Sequence, residues 1–382
     1  MESGKQFTII GAGIAGLTTA IALRQLGLQV TIFEAAPVIK PLGAGLALAA
    51  NAVKAFQKLG IADSILQAGR VLEAFVICDQ QGRSITRTDS RAISRKYGTD
   101  NFTIHRAALH QELLKHLKNK PLFTGKRAIS VEQNAGQVRI LFDDETVHQT
   151  DYLIVSDGIH SPIRQQLLPD SAPRYSGYTC WRSVIDSRGL NLSEATETWG
   201  ANGRIGLVPL ANNQLYWFAC LNAPANDVRM RQFTTDDLLK IFGDYHNPIP
   251  DVLARTRNEN LLWNDIIDLK PLSKYAFDNI VLVGDAAHAT TPNMGQGACQ
   301  AIEDAVVLAD ELKAGGSAVD AFKRFEGRRL KRTHYIIDNS RRIGQIAQVQ
   351  NPALVWLRNN AFRLLPPSVN EQQFKTLYNV DF

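Results

Sequence analysis

A glycine-rich turn near the N-terminus, set between two short hydrophobic strands, limits the possible folds more than any other feature. Residues 7–10 form a β-rich run, residues 11–16 read Gly-Ala-Gly-Ile-Ala-Gly, and residues 14–26 carry apolar side chains at helical spacing. A second β-rich run at 30–33 ends at Glu34. This order predicts a parallel βαβ unit whose helix begins at a phosphate-binding turn.

The three glycines and Glu34 match the dinucleotide-binding pattern, in which each residue has its own physical role. We expect Gly11 to permit the tight turn, Gly13 to let a pyrophosphate approach the backbone, and Gly16 to let helix and strand pack closely. Glu34 would accept hydrogen bonds from a ribose hydroxyl. The predicted nucleotide contacts also include three neighbours of these residues: Ile14, Ala15 and Ala35. The pattern alone does not separate NAD from FAD.

The composition of the chain excludes several other classes of protein. The uncharged run at 7–23 could be taken for a signal peptide, but the nucleotide turn explains its glycines. The four cysteines form no CxxC pair, so we predict neither disulfides nor a metal site. With 42 Lys and Arg against 37 Asp and Glu, the net charge of +5 argues against nucleic-acid binding. We expect a cytoplasmic protein.

Two further motifs each follow a hydrophobic run much later in the chain. The first run, at 152–155, leads into Ser156-Asp157-Gly158, with Ser161 and Arg164 a few residues on. The second run, at 280–283, leads into a longer motif that reads Gly284-Asp285, then Pro292, then Gly295-Gln296-Gly297. Each motif is therefore placed where a parallel strand ends, as the first glycine turn is.

In this order and spacing, the three motifs resemble those of the flavoprotein monooxygenases of the para-hydroxybenzoate hydroxylase type. The resemblance runs from about residue 6 to about residue 330 and is closest to the branch with salicylate hydroxylases, urate hydroxylases and zeaxanthin epoxidases. It implies bound FAD, NADPH or NADH as co-substrate, and O2. It also implies an FAD-dependent monooxygenase in which a C4a-hydroperoxyflavin hydroxylates a small aromatic or heteroaromatic substrate.

The resemblance also assigns further residues to FAD. It implies that Arg106 binds the pyrophosphate, which suits a bidentate cation, and that Asp285 holds the ribityl chain. It places Gly45 along the isoalloxazine and Pro292 beside the reactive face of that ring, where Pro292 is also a candidate substrate contact. The remaining implied contacts lie in the two later motifs and at the start of the following helix: Asp157, Gly158, Arg164, Gly284, Gly295, Gln296, Gly297 and Ala298.

The predicted fold class is α/β. A Rossmann-like FAD-binding domain of the glutathione-reductase type would come from segments 1–75, 101–171 and 273–348, the last with a long helix. Strand-like runs at 178–185, 205–208 and 215–221 interrupt it, and they predict an inserted, mainly antiparallel substrate domain. We assign residues 76–100 and 172–272 to that insert and 349–382 to a C-terminal tail.

Substrate recognition stays open at this point. Arg204 and Tyr216 match positions that contact a polar heterocycle in urate-hydroxylase-like relatives. Surface charge or domain packing would equally account for Arg204, and an ordinary core position would account for Tyr216. The alternatives to an aromatic hydroxylase are a urate-type purine hydroxylase, an isoprenoid epoxidase, a flavin reductase or oxidase without oxygen transfer, and a non-catalytic FAD-binding protein.

The C-terminal part of the chain contains one basic stretch and one apolar stretch. Residues 320–342 are rich in Lys and Arg at helical positions, and we interpret them as a solvated face, with contact to anionic lipid or a nicotinamide phosphate as alternatives. The apolar stretch at 353–366 predicts a helix that closes a domain rather than one that contacts a membrane. The chain could be a monomer or a homodimer.

Overall fold

The strands in the described part of the chain lie in four sheets. A computed structural model describes residues 4–39, 43–98, 101–117, 121–134, 136–366, 372, 375–380 and 382. The strands are β1 (Gln6–Ile10), β2 (Gln29–Glu34), β3 (Gly45–Leu48), β4 (Arg70–Val71), β5 (Ala74–Asp79), β6 (Ser84–Asp89), β7 (Phe102–His105), β8 (Leu122–Thr124), β9 (Ala128–Asn134), β10 (Gln137–Phe142), β11 (Val147–Thr150), β12 (Tyr152–Val155), β13 (Arg174–Asp186), β14 (Ala195–Gly200), β15 (Gly203–Pro209), β16 (Gln214–Asn222), β17 (Leu262–Asp268), β18 (Ala276–Phe277) and β19 (Ile280–Leu282).

The helices fill the space around these sheets. They are α1 (Ile14–Gln25), α2 (Ala50–Lys58), α3 (Ala62–Gln67), α4 (Ser90–Tyr97), α5 (Arg106–His116), α6 (Pro162–Leu167), α7 (Val228–Arg231), α8 (Thr235–Phe242), α9 (Ile249–Ala254), α10 (Asp285–His288), α11 (Gly297–Lys313), α12 (Ala318–Ala347) and α13 (Pro352–Arg363), with 3-10 turns at Asn258–Asn260 and Pro292–Met294. Among the described residues, none of the helices is both long and apolar enough to cross a membrane.

The largest parallel sheet brings the three sequence motifs together. Its strand order is β18-β19-β12-β1-β2-β8, and every neighbouring pair except β18 with β19 is parallel. In register, Ile10 lies beside Val155, and Val155 lies beside Leu282. Because the strands run in the same direction, the turns that follow β1, β12 and β19 all leave from one edge of the sheet.

A seven-stranded sheet carries the other half of the molecule. Its order is β17-β13-β16-β15-β14-β5-β6, antiparallel except where β5 runs beside β14. Side chains alternate across it, and Trp181 and Trp217 lie on the face that packs against α8 and α9 in one hydrophobic cluster. The residues in register on the opposite face include Tyr178, Cys180, Arg204, Tyr216 and Cys220. That opposite face turns toward the motif loops, since Tyr216 covers Gly45 and Arg204 donates to Asn293.

The α/β fold class is confirmed, with a mainly antiparallel sheet distinct from the parallel one. Residues 74–89 and 174–268 supply the strands of the seven-stranded sheet, so two separated stretches of sequence form one layer. One boundary differs from the sequence prediction: β13 is 13 residues long and begins before the predicted run at 178–185. The helices α2 and α3 are separated around Gly60. Gly60 has φ +64°, a conformation that ends a helix readily. The tail residues 367–371, 373–374 and 381 lie outside the described residues.

Candidate active site

The first glycine turn is shaped by two close backbone contacts and one open position. Gly11 has φ +96°, and a Cβ there would lie 2.4 Å from the Ser156 carbonyl oxygen. A Cβ on Gly16 would lie 1.9 Å from the Gly11 carbonyl oxygen. By contrast, a Cβ on Gly13 would meet nothing within 4 Å, and no side chain caps α1. The free N–H groups of Ile14 and its neighbours therefore border open space, as a phosphate site requires.

Glu34 braces this turn from the end of β2. One carboxylate oxygen accepts from the Ala12 N–H at 2.7 Å, and the other accepts from the Ala36 N–H at 2.8 Å, on the far side of Ala35. The Ala12 carbonyl also lies 2.7 Å from Nε2 of His110, a contact that the sequence did not indicate. Glu34 is half-buried and lies beside the turn, where the resemblance predicts the ribose.

The turn after β12 holds a carboxylate that the protein itself leaves unpaired. Both oxygens of Asp157 are buried and have no hydrogen-bond partner among the described residues. Burial raises the pKa of Asp157 to about 6, and the nearby Ser161 hydroxyl and Arg164 guanidinium offset only part of this effect. Gly158 has φ +88° with open space where a Cβ would lie. An unpaired carboxyl group next to open backbone suits a polyhydroxylated ligand such as FAD.

Arg164 connects this turn to its neighbours rather than to open space. It is fully buried and donates to the carbonyls of Ile159 at 2.7 Å and Ala286 at 3.5 Å, and to the Ser171 hydroxyl at 3.2 Å. Because Ala286 belongs to α10, the guanidinium joins the turns that follow β12 and β19.

The turn after β19 presents a second free carboxylate. Gly284 has φ +59°, and a Cβ there would lie 2.6 Å from the Ala15 methyl group, so α1 and α10 meet at this glycine. Asp285 is exposed and forms no hydrogen bond or ion pair with the described residues. His288 is buried, 2.6 Å from the carboxylate of Asp304, and it belongs to the packing beneath the turn.

The loop before α11 is also open. Gly295 has φ +62° and nothing within 4 Å of its Cβ position, and the Cβ position of Gly297 meets only the Thr290 methyl group at 3.8 Å. No side chain caps α11, so its first N–H groups are free, with Ala298 partly buried beside them. Gln296 is buried and accepts from the Asn51 amide at 2.9 Å. A flat ring can therefore reach this backbone, where the helix dipole favours negative charge.

A buried charge network supports that loop from below. Arg329 donates to Glu303 at 2.6 Å and to Asp304 at 2.7 Å, and all three side chains are at most 2% exposed. Arg332 donates to Glu303 at 2.6 Å, and the Asn51 amide does so at 2.5 Å. Burial opposes ionisation of Glu303, but the two arginines outweigh it and hold the pKa below its usual value.

This network corrects the interpretation of residues 320–342 as a solvated face. Arg329 lies in the core, Arg332 pairs with Glu303, and Arg324 pairs with Glu311 at 2.7 Å. The sequence contains a signal for this network: two adjacent acids, Glu303 and Asp304, are flanked by apolar residues on both sides and therefore require buried cations nearby.

Arg106 and the 43–45 loop lie where the two sheets meet. The Arg106 N–H donates to the Ala44 carbonyl at 3.0 Å, and its side-chain stem covers Gly43. The Arg106 guanidinium is exposed and forms no hydrogen bond or ion pair with the described residues. Gly45 is packed directly under Tyr216, whose ring would lie 2.7 Å from a Cβ at that position. The structure thus brings one predicted FAD-loop residue into contact with one predicted substrate residue.

Arg204 is buried in a second network that includes the 292–294 turn. Its guanidinium donates to Glu197 at 2.8 Å, to Gln348 at 3.1 Å and to Asn293 at 2.5 Å. It also lies over the Tyr178 ring, 5.2 Å from the ring centroid. Asn293 follows the exposed Pro292, so Arg204 ties the loop before α11 to the seven-stranded sheet and to the end of α12.

The fold and these turns together define a class: proteins that bind FAD at the carboxyl edge of a parallel sheet and cover it with a second, antiparallel sheet. The chain belongs to the family described as FAD binding domain, whose model matches residues 5–340. Its relatives are named as monooxygenases and hydroxylases, and this chain is an FAD-dependent monooxygenase.

Three similar proteins illustrate the relationship. The chain is 36% identical to "Aurachin C monooxygenase/isomerase" of Stigmatella aurantiaca, with 100% of this chain and 99% of the relative covered. It is 30% identical to "2-heptyl-3-hydroxy-4(1H)-quinolone synthase" of Pseudomonas aeruginosa, with 97% of each covered. The structure of Klebsiella pneumoniae HpxO complexed with FAD and uric acid matches with a TM-score of 0.91 and 28% identity, over 99% of this chain and 98% of that one.

Proposed function

We propose that this enzyme uses NADH or NADPH and O2 to hydroxylate a heteroaromatic ring that carries an apolar chain, a substrate of the 2-alkyl-4-quinolone class. The observation that carries the proposal is similarity at 36% and 30% identity, over 97% or more of the chain, to two relatives. The name of the second specifies a 4-quinolone ring with a heptyl chain and a new hydroxyl group.

The face of the seven-stranded sheet that turns toward the motif loops, called here the inner face, is partly apolar, which favours an apolar ligand. Leu72, Val208, Tyr216 and Phe218 form one cluster there, with Phe75 and Ala195. Phe218 lies over Gly206, since a Cβ at Gly206 would be 2.2 Å from its ring. An alkyl chain gains free energy from such a surface, whereas a small polar purine would leave its hydrogen-bonding groups without partners there.

The hydrogen bonds of Arg204 also favour an apolar substrate over a purine. A polar heterocycle such as urate would need a free cation, but Arg204 already donates to Glu197, Asn293 and Gln348. Taking Arg204 for a substrate would strip Glu197 of its ion pair in a buried environment, which is costly. We therefore assign Arg204 to loop positioning and Tyr216, together with Pro292, to the wall of the substrate space.

The residues of the sheet edge fit FAD. When bound, FAD supplies the hydride acceptor and the oxygen-activating group. Within our proposal Asp285 accepts hydrogen bonds from the ribityl hydroxyls and Arg106 pairs with the pyrophosphate. Gly13 admits the phosphates to the α1 N-terminus, and the free N–H groups before α11 stabilise negative charge on the ring.

Substrate-dependent turnover of the purified FAD-loaded enzyme tests this function. We would add 2-heptyl-4(1H)-quinolone, urate or salicylate and follow NADH and NADPH oxidation together with incorporation of ¹⁸O from labelled O2. We expect the quinolone alone to accelerate oxidation, with one labelled oxygen in the product. Labelled product from urate instead would favour the purine hydroxylase alternative, while H2O2 without labelled product would identify an oxidase. If neither NADH nor NADPH reduced the bound FAD under anaerobic conditions, the chain would be a non-catalytic FAD-binding protein.

A further inference from the structure

Two of the four cysteines face each other across neighbouring strands of the seven-stranded sheet. Cys180 of β13 and Cys220 of β16 are directly opposite in the antiparallel register, and both side chains lie on the inner face. They are 3% and 1% exposed and pack in one small cluster with Tyr178 and Ile266. Both are free thiols. The sequence did not indicate this pair, because the two cysteines are far apart in the chain.

The spacing of opposite residues in a sheet suits a disulfide. In an antiparallel pair the Cα atoms of directly opposite residues are about 4.5–5.5 Å apart, and disulfides span Cα separations of about 4.4–6.8 Å. The thiols of Cys180 and Cys220 also hydrogen-bond to each other, so the two side chains already point together. A bond between the sulfurs therefore needs no shift in the register of the two strands.

The two thiols differ in acidity, as a nucleophile and its partner should. The hydrogen bond with Cys220, together with the charges of Arg182 and Arg204, holds the pKa of the Cys180 thiol below its usual value despite burial. Burial and the interaction with Cys180 raise the pKa of the Cys220 thiol. The thiolate is the reactive form of cysteine, so Cys180 is the better nucleophile of the pair.

The pair lies between two contacts that join this sheet to the predicted FAD loops. Tyr178, two residues before the first cysteine on the same face, has its hydroxyl 3.1 Å from the Asn293 amide. Tyr216, four residues before the second cysteine on the same face, covers Gly45. Hydrogen peroxide is the product when a flavin enzyme reduces O2 without transferring oxygen to a substrate. Peroxide formed beside these loops can reach the thiols from inside the protein.

We propose that Cys180 and Cys220 form a site of reversible oxidation, at which hydrogen peroxide converts the two thiols into a disulfide that joins β13 to β16. The Cys180 sulfur attacks one peroxide oxygen, the O–O bond breaks, and the other oxygen leaves as water with the thiol proton. The Cys220 sulfur then attacks the Cys180 sulfur, the S–O bond breaks, and a second water leaves. Two thiols are oxidised by two electrons in all, and one peroxide is reduced to two waters.

Thiol mapping of the FAD-loaded enzyme tests this site. The protein is treated with H2O2, unfolded in an alkylating reagent, digested with trypsin and analysed by mass spectrometry. The two cysteines belong to different tryptic peptides, residues 175–182 and 205–229. We expect these two peptides to become linked, with the loss of two hydrogens, and to separate again when dithiothreitol is added.

The other two cysteines are internal controls. Cys78 and Cys299 are also buried, and burial raises the pKa of both thiols. Neither has a cysteine opposite it, since Cys78 is in register with Ser84 and Thr198 and Cys299 lies in α11. Cys180 and Cys220 should therefore lose free thiol at least about tenfold faster than these two.

Two single variants separate the nucleophile from its partner. In Cys220→Ser, oxidation should stop at a sulfenic acid on Cys180, which dimedone captures, whereas Cys180→Ser should give no adduct on Cys220. Retained FAD absorbance shows that each variant is folded. Three results would overturn the proposal: no linked peptides from the wild type, equal loss of thiol at all four cysteines, or an adduct in Cys180→Ser but not in Cys220→Ser. None of these measurements needs a substrate, so failure of this site is distinguishable from failure of the proposed function.

Discussion

The sheet edge that fits FAD and the inner face of the seven-stranded sheet treat their polar groups in opposite ways. At the edge, Asp157, Asp285 and the Arg106 guanidinium have no partner among the described residues. On the inner face, Arg204 is bonded to Glu197, Asn293 and Gln348. All three groups at the edge are available to a ligand, and the buried one, Asp157, also lowers the stability of the empty protein. The paired groups of the inner face stabilise the fold and hold loops in place. Changes at the edge should therefore affect ligand binding, and changes on the inner face should affect stability and loop position.

The largest effect is expected from Gly16→Ala at the edge. The new methyl group would meet the Gly11 carbonyl oxygen at 1.9 Å, which backbone cannot relieve easily, so the apoprotein should lose about 3 kcal/mol or more in its free energy of unfolding. Gly13→Ala is the matched control, since it meets nothing within 4 Å. It should change stability by less than about 1 kcal/mol yet weaken FAD binding. Urea unfolding and FAD fluorescence titration measure the two quantities; equal destabilisation by both changes would contradict the distinction.

Arg204→Met is expected to destabilise the paired face. It leaves the Glu197 carboxylate, 12% exposed, without its ion pair and frees Asn293 and Gln348, for a loss of about 2–4 kcal/mol in urea unfolding. Arg188→Met is the control, because the Arg188 side chain is 78% exposed in its pair with Asp186 and should contribute little. Unchanged stability together with a raised KM for the substrate would mean instead that Arg204 is a substrate contact.

Asp157→Asn, in contrast, should raise the free energy of unfolding of the apoprotein. The folded-state pKa of about 6 lies above the value of 3.8 expected for an exposed Asp. The folded protein therefore holds the proton more tightly, and the stability that this contributes is full below pH 4 and is lost as pH rises to 6. The Asn side chain does not ionise, so the variant does not lose stability as pH rises. Its apoprotein should be more stable than wild type at pH 7, by roughly 2 kcal/mol, and equal to it near pH 4. If the free energy of unfolding of wild type and variant differs by the same amount at every pH from 4 to 7, burial of the Asp157 carboxyl does not control stability.

The sequence predicted the edge far better than the inner face, for a physical reason. The edge is encoded in contiguous turns after buried strands, where Gly11, Gly16 and Gly284 are required by backbone conformation or close contact. The Arg204 network joins residues up to 144 positions apart, and a single sequence contains no periodic signal for such contacts. The helix α13 shows a related limit. Its residues Leu354, Trp356 and Leu357 are more than half exposed, although the sequence predicted that this apolar stretch closes a domain. An apolar pattern gives the period of a helix but not the direction in which the fold turns it.

The smallest effect, and the most direct measure of the unpaired edge, is expected from Asp285→Ala. The carboxylate is exposed and forms no bond within the described protein, so the free energy of unfolding of the apoprotein should stay within about 0.5 kcal/mol of wild type. FAD affinity should nevertheless fall by roughly 10–100-fold, because charge-assisted hydrogen bonds to the ribityl hydroxyls are lost. Asp170→Ala, another exposed carboxylate, should alter neither quantity. Normal FAD affinity in Asp285→Ala would remove this residue from the cofactor site, and lower apoprotein stability would show that it already had a partner in the protein.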